Sequence, residues 1–190
     1  GNVSSQFISG LLMALPLLPE GGKIRLTTAL ESAPYVDLTL QVLEDFGINI
    51  ELQEQVYTVP GNQTFVSPGF RQAEGDWSNA AFFLTASSLG SSVTCTGLNP
   101  ASKQGDKAIV ELLQQIDENE RREEEREIDA TQIPDLVPIL SVKAALTPGT
   151  TRITGAARLR IKESDRLSAM AKNITALGGV EQTQGSQLQR

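Results

Sequence analysis

The chain has 190 residues with 16 basic and 23 acidic side chains, a net charge of −7, no histidine and one cysteine. That charge argues against nucleic acid or an anionic membrane as the main partner. The lack of histidine excludes His-based triads and His metal sites, no Cys/His cluster exists for zinc, and Cys95 has no partner for an internal disulfide, as in a reducing compartment.

The length allows one large domain or two small ones, and 39% hydrophobic residues suffice for a core. Residues 5–15 predict a first helix, so uniformly apolar that it should be buried on all sides. The apolar run 7–18 is too short to span a bilayer and is broken by Ser9 and Pro16. Ser4, Ser5 and Gln6 stand at the mouth of this helix. Two hydroxyls and an amide there suit a phosphate or sugar hydroxyl, and serve equally as plain caps. Residues 23–28 alternate as a strand. Ser32-Ala33-Pro34-Tyr35 breaks the chain before a second helix with Val36, Leu40, Leu43 and Phe46 at helical spacing, ended by Gly47. Residues 48–52 and 56–59 predict two short strands, and 61–69 a loop.

A second cycle follows. Glu74-Gly75-Asp76 opens an apolar helix over 80–89, residues 92–98 predict a strand, and Gln104-Gly105-Asp106 caps a helix over 107–115. Residues 118–129 are a mixed-charge run where strands would be expected; such a run is usually a solvated helix or a loop. In a third cycle, Ile133-Pro134-Asp135 opens a helix over 136–146, with prolines tolerated in its first turn. A strand over 150–154 comes next. The polar tail 182–190 has little to bury and reads as frayed or cut. Helix, strand, helix, strand thus recurs three times, at a spacing of roughly 60 residues. The first cycle lacks a strand ahead of its first helix.

Arg158-Leu159-Arg160-Ile161-Lys162-Glu163-Ser164-Asp165-Arg166-Leu167 is the most charged stretch at a helix start. Ser164 is the expected N-cap, Leu167, Met170, Ala171, Ile174 and Leu177 form the apolar stripe, and Gly178-Gly179 stops the helix. Lys162, Glu163 and Arg166 would lie at its positive end, either as a proton-transfer pair beside an anion clamp or as ordinary surface salt bridges.

Together, Gly1-Asn2-Val3-Ser4-Ser5-Gln6-Phe7, Glu74-Gly75-Asp76, Gln104-Gly105-Asp106, Ile133-Pro134-Asp135 and the 159–167 run resemble the 5-enolpyruvylshikimate-3-phosphate synthase family, in its order and at nearly its spacing. The resemblance implies an α/β (α+β) fold of repeated βαβαββ units with buried parallel helices, an inside-out barrel that is incomplete here. Residues 1–72 resemble the last unit of the family's N-terminal domain, and 73–190 two units of its C-terminal domain, the second incomplete. The expectation is of an excised fragment or a sequence with omitted segments.

The implied reaction moves the enolpyruvyl group of phosphoenolpyruvate to the 5-hydroxyl of shikimate 3-phosphate, with no cofactor and no metal, in a cytoplasmic enzyme that is a monomer at full length. By motif, Ser4, Ser5 and Gln6 would hold shikimate 3-phosphate, with Ser32 and Tyr35 as further contacts. Asp135 would be the base at the 5-hydroxyl, Lys162 a substrate ligand that assists proton transfer, Glu163 the acid at the methylene carbon, and Arg166 a phosphoenolpyruvate ligand. Arg158 stands where some relatives have asparagine and is a candidate substrate contact. The family's other cationic ligands and its histidine have no counterpart in this sequence. Alternatives are an enolpyruvyl transferase acting on a UDP-amino sugar, and a non-catalytic binding domain of the same fold.

Overall fold

The computed structural model describes residues 1–120, 125–162, 164–180, 182–184 and 187–189. The chain divides into two compact units, Gly1–Ala73 and Glu74–Arg190.

In the first unit, α1 (Ser5–Ala14) and α2 (Ala33–Asp45) lie against a three-stranded antiparallel sheet. Its strands β1 (Gly22–Arg25), β2 (Glu51–Gln53) and β3 (Val56–Val59) take the order β1-β3-β2. The helices run side by side in the same direction. The Glu31 N–H donates to the Gly1 carbonyl at 3.1 Å, and the hydroxyls of Ser9 and Thr39 share a hydrogen bond at 2.9 Å. Both pairs are 30 residues apart, a constant offset that only parallel helices give. Ile8, Leu12, Ile24, Val36, Leu43, Ile48, Tyr57 and Val59 form the core. The expectation that α1 is buried all round does not hold, because Phe7, Leu11 and Met13 are 69%, 48% and 49% exposed. One small sheet and one neighbouring helix cannot cover both faces of a helix that is apolar on each.

In the second unit, α3 (Trp77–Ser88) and α4 (Ile109–Glu120) precede a mixed sheet of order β4-β5-β7-β6. β4 (Arg126–Asp129) and β5 (Thr151–Thr154) are parallel, joined through α5 (Val137–Ala145), as a parallel pair requires a crossover. After α6 (Arg166–Ala176), β6 (Gln182–Gln184) and β7 (Gln187–Gln189) add an antiparallel hairpin to β5. The order β4-α5-β5-α6-β6-β7 is thus a βαβαββ run, where an incomplete unit was expected. The tail read as frayed pairs its backbone into the sheet, since ladder hydrogen bonds depend little on the apolar content used to judge it. Ile128, Leu136, Val137, Leu140, Ile153, Leu159 and Leu167 centre the core, and α5 is interior as its composition predicts.

Three further expectations are corrected. Residues 92–98 form no strand; they are mostly exposed and have no ladder partner among the described residues. The mixed-charge run is neither a solvated helix nor a loop throughout. Its first residues finish α4, positions 121–124 lie outside the described residues, and its last four form β4. Arg126 in that strand is 1% exposed, with its guanidinium donating to the carbonyls of Ile116 (3.0 Å) and Pro148. A guanidinium tolerates such burial when backbone acceptors receive its fixed fork of N–H donors. Finally, the cap of α6 is Asp165 rather than Ser164: its carboxylate accepts the Ser168 N–H at 3.0 Å, while Ser164 is exposed. Lys162 therefore precedes the helix instead of belonging to its first turn. Among the described residues no helix is long and apolar enough to cross a membrane.

Candidate active site at two pairs of parallel helix N-termini

Each unit presents two parallel helices with their N-terminal ends together. In the first, Ser4 is extended (φ −156°, ψ 129°) and caps α1, its hydroxyl accepting the Gln6 N–H at 3.3 Å. Ser5 is buried and Gln6 exposed. At the adjacent end, Ser32 precedes α2 in the left-handed region (φ 56°, ψ 40°) while almost wholly buried. A non-glycine residue there carries strain that its surroundings must sustain. The Tyr35 N–H donates to the Ser32 carbonyl at 3.2 Å. The constant helix offset puts Ser4, Ser5, Gln6, Ser32 and Tyr35 at one end of the unit. Neither helix has an acidic residue in its first turn, so the positive ends of both dipoles are uncompensated there.

In the second unit, α5 and α6 are parallel in the same sense. Asp135, in the 3-10 turn Pro134–Leu136 ahead of α5, meets Arg166, the first residue of α6, at 2.7 Å. At their other ends, Val142 and Leu146 line a cavity of about 330 Å3 with Ile174 and Gly178. Both side chains of the Asp135–Arg166 pair are about 30% exposed, so a ligand can reach them. Lys162 is half-buried in the bend between the 3-10 turn Ala157–Arg160 and α6. Glu163, expected to act at the methylene carbon, lies outside the described residues. Arg158 is buried, and its Nη2 donates to the Thr131 carbonyl at 3.3 Å. Arg160 is paired with Asp165 at 3.0 Å. Hydrogen bonds from the Ser168 N–H and hydroxyl hold Asp165 below the usual carboxylate range, with Arg160 adding to the effect.

The Glu-Gly-Asp and Gln-Gly-Asp motifs serve a different purpose. Asp76 caps α3 by accepting the N–H groups of Ser78 (2.8 Å) and Asn79 (3.1 Å). Glu74 accepts from Asn99 (2.8 Å) and Ser102 (2.5 Å), and Gln104 accepts the Trp77 N–H (2.9 Å) while donating to the Gly75 carbonyl (2.9 Å). The buried Asp106 accepts the Ser78 hydroxyl. These residues bind the 99–106 segment to the start of α3.

Sequence reasoning missed three features beside the site: the buried Arg126, the Asp165 cap and a turn at Asp129. Asp129 accepts both the N–H (2.9 Å) and the hydroxyl (2.5 Å) of Thr131, and these bonds, the hydroxyl's first, lower its pKa. The signals were present, as Asp165-x-x-Ser168 spacing, as Arg126-Glu127-Ile128-Asp129 alternation and as an Asp-x-Thr turn.

A family model described as EPSP synthase (3-phosphoshikimate 1-carboxyvinyltransferase) matches residues 1–188. The 3-phosphoshikimate 1-carboxyvinyltransferase of Clostridium acetobutylicum is 49% identical over 188 residues, covering 94% of this chain and 44% of the relative. That of Clostridium perfringens is 45% identical over 191 residues, covering 94% and 45%. The chain therefore spans a little under half the length of these curated relatives. A solved EPSP synthase from Acinetobacter baumannii superposes with a TM-score of 0.75 at 21% identity, over 98% of this chain and 46% of that one, and so shares its fold.

Proposed function

The chain belongs to the EPSP synthase family, and from that premise we propose that it is part of a transferase moving the enolpyruvyl group of phosphoenolpyruvate to the 5-hydroxyl of shikimate 3-phosphate. The observation that carries this reading is the Asp135–Arg166 pair at the paired N-termini of α5 and α6. It couples a proton acceptor to a cation that matches a carboxylate or phosphate in two-pronged geometry.

In this mechanism Arg166 binds the anionic groups of phosphoenolpyruvate, and Asp135, released from it, takes the proton of the 5-hydroxyl as that oxygen attacks C2. Glu163 delivers a proton to the methylene carbon, and Lys162 binds substrate and assists the transfer. The tetrahedral adduct then returns a proton from the new methyl group and expels phosphate. Ser4, Ser5, Gln6, Ser32 and Tyr35 hold shikimate 3-phosphate. Their support is the end of the first unit, with its N–H groups and no first-turn acid. Residues 1–72 act as the last unit of an N-terminal domain and 73–190 as units of a C-terminal one, in a cytoplasmic enzyme that is monomeric at full length.

The test places residues 1–190 into the corresponding segment of the Clostridium acetobutylicum relative and follows phosphate release. The 190-residue chain alone should not turn over, and the chimera should. Asp135→Asn in the chimera should lower kcat on the order of 100-fold or more, the usual loss for a positioned general base. A chimera that keeps its rate with Asp135→Asn would overturn the reading.

A further inference from the structure

Two turns leave the same end of the parallel β4–β5 pair. Asp129 and Thr154 are opposite each other in register, and the Ala130 N–H donates to the Thr154 carbonyl at 2.9 Å. One turn leads through Thr131 and Ile133 to Asp135; the other leads through Gly155 and Arg158 toward Lys162. The first is closed from within by the bonds of Asp129 to the Thr131 N–H and hydroxyl. It is continued by the Ile133 N–H to the Ala130 carbonyl (3.1 Å) and the Leu136 N–H to the Ile133 carbonyl (3.1 Å). The second turn lies directly against it. Gly155 has φ +67°, and a Cβ there would come within 2.3 Å of the Thr131 hydroxyl and 2.4 Å of the Asp129 carboxylate. Only glycine lets the two turns approach so closely. Across this contact the buried Arg158 donates to the Thr131 carbonyl.

We infer that Asp129, Thr131 and Arg158 are positioning residues for Asp135, forming a latch between the two turns that sets the carboxylate against Arg166. This rests on the proposed function for the identity of the base, and it replaces the expectation that Arg158 contacts substrate. Arg158 is turned to a backbone carbonyl of the turn that carries Asp135, which is four residues beyond Thr131. A loosened turn displaces that carboxylate without touching either substrate. Misplacement of a reacting group by about 1 Å can cost on the order of 100-fold in rate.

The experiment has two arms. In the 190-residue chain, the nitrogen-15 signal of the Arg166 guanidinium reports its pairing with Asp135. Arg158→Met and Thr131→Val should move it toward the value of a solvated arginine, whereas Thr131→Ser, which keeps the hydroxyl, should restore it. In the chimera, Arg158→Met and Thr131→Val should lower kcat by roughly tenfold or more while both KM values change less than about twofold. Thr131→Ser should recover most of the loss.

A raised KM for one substrate with kcat preserved in Arg158→Met would make Arg158 a substrate contact and overturn the inference. Lowered stability with an unmoved Arg166 signal and unchanged kcat would reduce the latch to a structural role and overturn it equally. If Arg158→Met does not fold, Thr131→Val decides by the same criteria. Should Asp135→Asn prove harmless, the assigned reaction fails, and the Arg166 signal alone decides whether the latch sets the Asp135 carboxylate.

Discussion

Residues 1–59 and 126–189 carry the same run of helix, strand, helix, strand and strand, with matching sheet orders β1-β3-β2 and β5-β7-β6. They differ in what precedes that run. The later one is led by β4 and follows α3 and α4; the earlier one begins directly at α1. The consequence falls on the first helix of each. In α5, Val137, Ile139, Leu140 and Ala144 are buried, and Lys143, 3% exposed, reaches Asp117 of α4 at 2.7 Å. In α1, only Ser5, Ile8 and Leu12 are buried. Both helices have apolar residues on every face, so composition does not separate them; the neighbours available to cover those faces do.

The sharpest way to break this comparison is a matched pair of truncations. Leu140→Ala removes a side chain with no exposure and should cost about 2–5 kcal/mol, whereas Leu11→Ala, from a half-exposed site, should stay within about 0.5 kcal/mol. Urea titrations can check this, following the buried Trp77, the single tryptophan, for the second unit, and tyrosine emission together with amide exchange for the first. Equal costs would mean that α1 is covered as fully as α5.

A smaller effect separates the units by pH. Burial raises the Tyr57 hydroxyl above its ordinary value, and the nearby Asp37 charge adds to this. Its contribution is whole below the ordinary tyrosine range and disappears as the pH climbs through the raised value. Asp129 and Asp165 are shifted down, so theirs is whole above the ordinary aspartate range and disappears as the pH falls through the lowered values. Amide exchange across a pH series should therefore show the second unit weakening first in acid and the first unit weakening first in alkali. The reverse order would refute the assignment.

The smallest expected effect tests the corrected cap. Asp165→Ala should lower Tm slightly and loosen amide exchange in the first turn of α6, while Ser164→Ala should leave both unchanged.

The repeat, the parallel helices and the candidate groups at their ends were readable from periodicity, Gly and Pro punctuation and motif spacing. Details decided by tertiary partners were not. Residues 92–98 have strand composition but no ladder to join, while Gln182–Gln184 and Gln187–Gln189 have poor composition and join one. Propensity describes the segment alone, and pairing depends on what lies beside it. Arg126 looked solvated because its neighbours are charged, yet strand alternation turns it inward and two carbonyls receive it. Arg158 was assigned to substrate from its place in a motif, without knowledge that the Thr131 carbonyl lies within its reach.

The sheet order has a consequence for how the second unit assembles. β7 sits between β5 and β6, so the inner side of β5 cannot be occupied until the end of the run has folded back as a hairpin. By then β4, α5 and β5 can already have met, because a crossover of a few tens of residues closes at modest entropic cost. A nascent or refolding chain therefore passes through a stage in which the open edge of β5 offers unpaired N–H and C=O groups. During that interval its own hairpin competes with strands from other copies, so low protein concentration favours correct assembly over aggregation.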